Sequence, residues 1–192
     1  MLKRLGVLFL FIGLILLSIS GYMAYTIILD IQTANRHNEE ILTKLEELIN
    51  EQGPVYSYED ELKSLEIDGE EYLGVIDIPS VELSLPVYKD WNYDLLKLGP
   101  CRYKGSYKEN DMILMSHYYE DQFEKIKKAN MGDLVYFVSV DKQIYTYRIE
   151  YYETLKSFDG LILEEKTDWD LTLFTCNTYG FTRHVVRCSR VY

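Results

Sequence analysis

From Leu5 to Leu29 the chain carries no charged residue, and the run LGVLFLFIGLILLSISGYMAYTIIL is apolar almost throughout. Roughly 20 such residues cross the hydrocarbon core of a bilayer at 1.5 Å per residue, so the segment predicts a transmembrane helix. A cleaved signal peptide is the alternative. Its apolar region runs to only about 7–15 residues and ends at a small-residue cleavage site, and no such site follows here. The uncleaved anchor is therefore the preferred reading. Lys3 and Arg4 flank the run on its short side and Asp30 is the first charge beyond it, which by the positive-inside rule keeps residues 1–4 in the cytoplasm and the rest outside.

The pattern then changes period. Ile31, Ala34, Ile41, Leu42, Leu45, Leu48 and Ile49 recur at three- and four-residue intervals, with Glu39, Glu40, Lys44, Glu46 and Glu47 between them. That spacing predicts an amphipathic helix from Asp30 to about Gln52, stopped by Gly53-Pro54. With only about three heptads, a stalk is preferred to a coiled-coil dimeriser. His37 lies on this helix and is expected to be solvated. An acidic linker, Tyr58 to Glu71, completes a stalk-and-linker region over 30–71.

Beyond Tyr72 the dominant signal is strand. Tyr72–Pro79 and Val81–Val87 are rich in β-branched and aliphatic residues, and Asp111–Met115 is a short buried run. Leu134–Val140 and Gln143–Tyr152 form a hairpin across Asp141-Lys142, with Tyr145, Tyr147, Ile149 and Tyr151 alternating against polar neighbours. Leu171–Cys176 and Arg183–Val191 are two more strands, and Tyr93–Leu98 and Tyr119–Asn130 look helical. Short strands this close together over 72–192 predict a mostly β domain, a barrel or sandwich with helical decorations.

Composition narrows the function. A chain of 192 residues suits one domain plus an appendage, and 47% hydrophobic with 14% aromatic residues is too apolar for disorder. A net charge of -11 argues against a nucleic-acid partner, which requires clustered positive charge. Three cysteines are too few for a disulfide framework. No phosphate-binding glycine loop or HExxH motif occurs, and Cys101, Cys176, Cys188, His37, His117 and His184 have no zinc-ligand spacing, so neither a cofactor nor a metal is expected. Glu120, Asp121 and Glu124 lack EF-hand spacing and read as a solvated helix face rather than a calcium site.

Nucleophilic chemistry is what these residues leave open. Cys176 ends the strand LTLFTC just before a loop containing Gly180, a placement that can meet a substrate, although a lone cysteine is also a common small core residue. His117 stands at another strand-to-loop boundary, and an imidazole both titrates near neutrality and stabilises a thiolate. His184 competes for that role but alternates to the face opposite Arg183. Arg183 offers a charged fork of donors to an oxyanion, its alternative role being a surface ion pair. Arg187 lies about 13 Å farther along its strand, too far from the thiol. Cys101 and Cys188 read as packed thiols, with a disulfide between them a minor alternative.

TLFTC at 172–176, with Arg183 downstream and His117 upstream, resembles the sortases, membrane-anchored cysteine transpeptidases of Gram-positive bacteria. YLGVIDIPSVELSLPV (72–87), LLKLGPCRYKGS (95–106) and SHYYEDQFEKIKKANMGDLVYF (116–137) agree, so the similarity runs from about Tyr72 to the C-terminus. Ser116 stands where the family usually has Gly, and the short Cys-to-Arg interval looks most like the class D-type and class B-type branches. The resemblance implies an eight-stranded β-barrel with Cys176 as nucleophile, His117 as general acid/base and Arg183 as oxyanion and substrate stabiliser. Thr175 and Tyr118 would line the groove. It implies secreted proteins with an LPxTG-like C-terminal signal as substrates, cut through an acyl-thioester. The acceptor would be a cell-wall peptide amine or a pilin lysine. An extracellular cysteine endopeptidase using water, or a non-catalytic tethered barrel, are the competing readings.

Overall fold

A computed structural model describes residues 2–51, 62–156, 168–177 and 181–192. The first helix, α1 (Leu2–Glu51), is unbroken, so the apolar run and the amphipathic segment share one axis. Its residues from Val7 to Leu29 expose their large apolar side chains along a helix long enough to cross a membrane. Strands follow as β1 (Leu65–Ile67), β2 (Glu70–Ile78), β3 (Leu83–Tyr88), β4 (Cys101–Lys104), β5 (Met112–Ser116), β6 (Leu134–Ser139), β7 (Ile144–Lys156), β8 (Leu171–Cys176) and β9 (Thr182–Arg190), with helix α2 (Tyr93–Leu98) between β3 and β4.

The strands are ordered β1-β2-β3-β4-β5-β8-β9-β7-β6, and β6 pairs back onto β2. Strands β2 to β9 therefore close an eight-stranded barrel, with β1 added outside it against β2. Closure leaves no free edge among those eight strands. Gly74 permits it: at φ +151 a Cβ there would stand 2.0 Å from the Val138 carbonyl oxygen on β6. The β6–β7 hairpin turns at Asp141-Lys142 as the alternation predicts, with Lys142 at positive φ.

Alternation sorts the core into two layers. Leu114, Leu171, Leu173 and Val186 fill the barrel interior, whereas Ile113, Met115, Phe174 and Val185 point outward. The outward set is buried too, in a second apolar cluster that also holds Leu95 and Leu96 of α2 and Ile41 and Leu45 of α1. A strand covered on both faces reads as a continuous apolar run, which is the pattern of MILM and LTLF.

Three expectations change. The helical segment beyond Asp30 is no free-standing stalk. Ala34, Asn38, Ile41 and Leu45 are buried against the barrel, and the i, i+4, i+7, i+11 stripe is the docking face. His37 on that face is half-buried, its Nε2 2.9 Å from the Tyr88 hydroxyl and 3.4 Å from that of Tyr72. Within 119–130 the only helical turn is a 3-10 turn at Lys125–Lys128. Phe123, Ile126 and Ala129 all enter the barrel core, and a three-residue repeat suits 3-10 geometry, not α.

Leu45 is fully buried between helix and barrel. Leu45→Ala should therefore destabilise the full chain by about 2–5 kcal/mol in urea unfolding, as an ordinary core truncation does. An undocked helix would make the change neutral.

Candidate active site

Two strand ends and one hairpin bring the candidate residues together. Strands β5 and β8 run parallel and finish in register, Ser116 opposite Thr175. Thr175 Oγ1 donates to the Ser116 carbonyl at 2.9 Å and ties the two ends. His117 and Cys176 are the next residues on each side of that tie. On the other flank, β8 pairs with β9 so that Cys176 stands directly opposite Arg183. Neighbouring strands lie about 4.8 Å apart, so the three residues occupy adjacent positions on three consecutive strands. Asn177 closes the β8–β9 connection: its N–H donates to the Thr182 carbonyl at 2.8 Å, and its Oδ1 accepts from the Phe181 N–H at 3.0 Å.

Alternation puts all three on the outer face. Cys176 follows Phe174 by two residues, and Arg183 precedes Val185 by two, both outward-facing. The Arg183 guanidinium carbon lies 5.6 Å from the Phe174 ring centroid. Its Nε is buried with no hydrogen-bond partner among the described residues. A buried donor left unpaired is costly, and this one belongs to the residue paired with Cys176 across β8 and β9.

His117 stacks on Tyr119, ring centroids 5.1 Å apart and 14° from parallel. Burial, and after it the positive charge of Lys97 on α2, hold the imidazole below the usual histidine range. It is therefore neutral at pH 7 and able to accept a proton. Replacing Lys97 by Met removes a like charge, lets the His117 pKa rise, and should move the acid limb of the pH–rate profile to higher pH. An unmoved limb would separate Lys97 from His117.

The remaining candidates lie elsewhere. His184 is on the opposite face, near Tyr118 with ring centroids 6.3 Å apart. It lines a cavity of about 220 Å3 with Ile126, Lys127 and Tyr152, and none of Cys176, His117 and Arg183 is among the described lining residues. Arg187 is committed to Glu153 at 2.7 Å and to the Thr172 hydroxyl at 3.0 Å. Thr175, expected in a groove, is fully buried because it shares the inward face of Leu171 and Leu173, so its hydroxyl joins strands instead of meeting a substrate. Tyr118 likewise turns away from the thiol: its hydroxyl donates to Glu124 at 3.3 Å and accepts from Lys127. Cys101 and Cys188 are buried free thiols in different core layers, so no disulfide joins them.

A sortase domain matches residues 76–191, more than half of the chain. The chain belongs to the sortase family. Its fold is shared by a Clostridium perfringens sortase D5 transpeptidase at TM-score 0.63 and 20% identity, covering 84% of this chain and 99% of that one. Listeria monocytogenes sortase A aligns at TM-score 0.55 and 24% identity over 63% and 88% of the two chains. The X-ray structure of Clostridium perfringens sortase C with the C-terminal cell wall sorting motif aligns at TM-score 0.56 and 23% identity over 84% and 95%. Comparison with curated protein sequences gives no match.

Around this sortase site is a support that sequence reasoning missed. Ser116 donates to Gln122 Oε1 at 2.6 Å, and Gln122 Nε2 donates to the Lys97 and Leu98 carbonyls at 3.0 and 3.1 Å. Asn38 Nδ2 donates to the same Leu98 carbonyl at 2.8 Å, and Asn35 Nδ2 to Asp121 Oδ2 at 2.6 Å. The segment following His117 is thus bound to α2 and to α1, with Asp121 occupied by Asn35 and Glu124 by Tyr118 and Lys127. The available signal was Asn38, a polar residue within the apolar stripe from Ala34 to Leu45.

Proposed function

We propose that this sortase is a cysteine transpeptidase acting on secreted proteins with an LPxTG-like sorting signal. His117 takes the thiol proton as Cys176 Sγ attacks the threonine carbonyl carbon, and gives it to the departing amine as the C–N bond breaks. The acyl-thioester then meets a second amine, from a cell-wall peptide or a pilin lysine. His117 takes that amine's proton as the new amide forms and the thiol is released. Arg183 receives the carbonyl oxygen and the oxyanion of both steps.

The observation that carries this reading is the register that sets Arg183 directly opposite Cys176, with a buried Nε that has no hydrogen-bond partner among the described residues. His117, one residue past the Ser116–Thr175 pair and held below the usual histidine range by burial, supports it. The structure of the aligned Clostridium sortase C with the C-terminal cell wall sorting motif supports the substrate class. Lys3 and Arg4 before the apolar helix support a cytoplasmic N-terminus with the barrel outside the cell membrane.

The test is incubation of the full chain in detergent with a panel of sorting peptides and triglycine, read by mass spectrometry. A new peptide–triglycine amide, and hydroxylamine release of a peptidyl hydroxamate, are expected. Free acid alone, at any triglycine concentration, would replace transfer by hydrolysis.

A further inference from the structure

The transmembrane segment and the docked segment are one helix, so the height and tilt of the barrel above the bilayer are set by where docking begins. Ala34 is the first buried residue on α1, and Asn35, bonded to Asp121, comes six residues after Leu29. At 1.5 Å per residue that is about 9 Å, and a tilted helix makes it less. Asp30, the first residue beyond the apolar run, lies near enough for its charge to act on Lys97 and on Tyr119, the ring stacked on His117. The opposite end of the docking seam is Lys44 with Asp68 of the β1–β2 turn, 2.5 Å apart. That contact is nine residues, or about 13 Å, farther up the axis. The segment following His117 is therefore the membrane-facing end of the barrel, and the β1–β2 turn is the distal end.

Resting on the reading of the site given above, we propose that α1 acts as a ruler. By docking the barrel catalytic-end-down just above the lipid, it sets the shortest membrane tether the enzyme can process and favours tethered polypeptides whose scissile bond stands a few residues off the bilayer. A tether shorter than the gap gives no encounter. One that matches it gives the highest effective concentration, and longer ones lose it slowly. The substrate's own membrane segment is thus part of what is recognised.

The ruler can be lengthened without touching the seam. Seven helix-forming residues inserted between Leu29 and Asp30 add about two turns and 10 Å while leaving the docking face nearly in phase. Wild-type and lengthened chains are reconstituted in liposomes with sorting peptides joined to an apolar transmembrane segment through spacers of 1 to 12 residues. The shortest spacer processed should rise by about three residues in the lengthened chain, at about 3.3 Å per extended residue. Both chains should turn over the untethered peptide equally. An identical minimum spacer in the two chains overturns the ruler. Failure on the untethered peptide overturns instead the transpeptidase reading, and the geometry is then judged by height alone. For this, a dye is placed at Glu120→Cys or Asp68→Cys in a Cys176→Ala chain, where Cys101 and Cys188 are buried. Energy transfer to headgroup acceptors should be stronger from position 120 than from 68 and weaker for both after insertion. Equal transfer from the two positions overturns the docked geometry.

Discussion

Cys176→Ala should abolish the hydroxylamine-sensitive acyl adduct and lower turnover of a sorting peptide on the order of 10^4-fold or more, because no other group can carry the acyl chain. The fold should be untouched. Cys176 is half-exposed at the end of β8, and such a truncation costs within about 0.5 kcal/mol. The other two thiols cannot substitute. Both are fully buried, and burial pushes the Cys101 thiol up to about 12 and raises that of Cys188 as well. Iodoacetamide should therefore modify only position 176 in the folded protein, and the Cys176→Ala chain should stay unlabelled until denatured. Residual transfer above about 1% of wild type in a chain free of contaminating enzyme would remove Cys176 from the mechanism.

The barrel and the placement of Cys176, His117 and Arg183 were legible because their signals are local. Period-two alternation marks β7, and apolar runs bounded by loop residues mark β5 and β8. Alternation also put His184 and Arg183 on opposite faces, as found. Applied one residue further, the same rule would have removed Thr175 from the groove, since it shares the face of Leu171 and Leu173. Strands β1 and β4 escaped because three and four residues offer too few alternations to count. The docking of α1 escaped for a different reason. An amphipathic stripe states that a face is covered but not by what, and only the folded structure supplies α2, β3 and β1 as its partners, with Leu95, Leu96, Tyr88 and Ile67 in the same buried cluster. The bonds from Gln122 to Lys97 and Leu98 and from Asn38 to Leu98 join residues 24 to 60 positions apart in pairs that no spacing announces.

Arg183→Met should separate activity from stability in an unusual direction. Oxyanion donors act only as charge develops on oxygen, so their removal lowers kcat, here by about 10^2–10^3-fold in the transfer assay. Most charged residues near a barrel seam lose stability when replaced. Arg183 differs, because its Nε has no bond to lose among the described residues and its burial is a standing cost of about 1–3 kcal/mol. Against that stands its contact over Phe174, worth about 0.5–1 kcal/mol and largely recovered by a thioether on the same ring. The denaturation midpoint of Arg183→Met should accordingly equal or exceed that of the wild type while turnover collapses. Lysine should not rescue turnover, since an ammonium lacks the planar fork of donors that a guanidinium offers an oxyanion. The neighbouring guanidinium supplies the contrast: Arg187 is paired with Glu153 and Thr172, so its replacement should show first as lost stability. If Arg183→Met loses stability and activity in proportion, its guanidinium is a structural cation, and the oxyanion must be held by another donor.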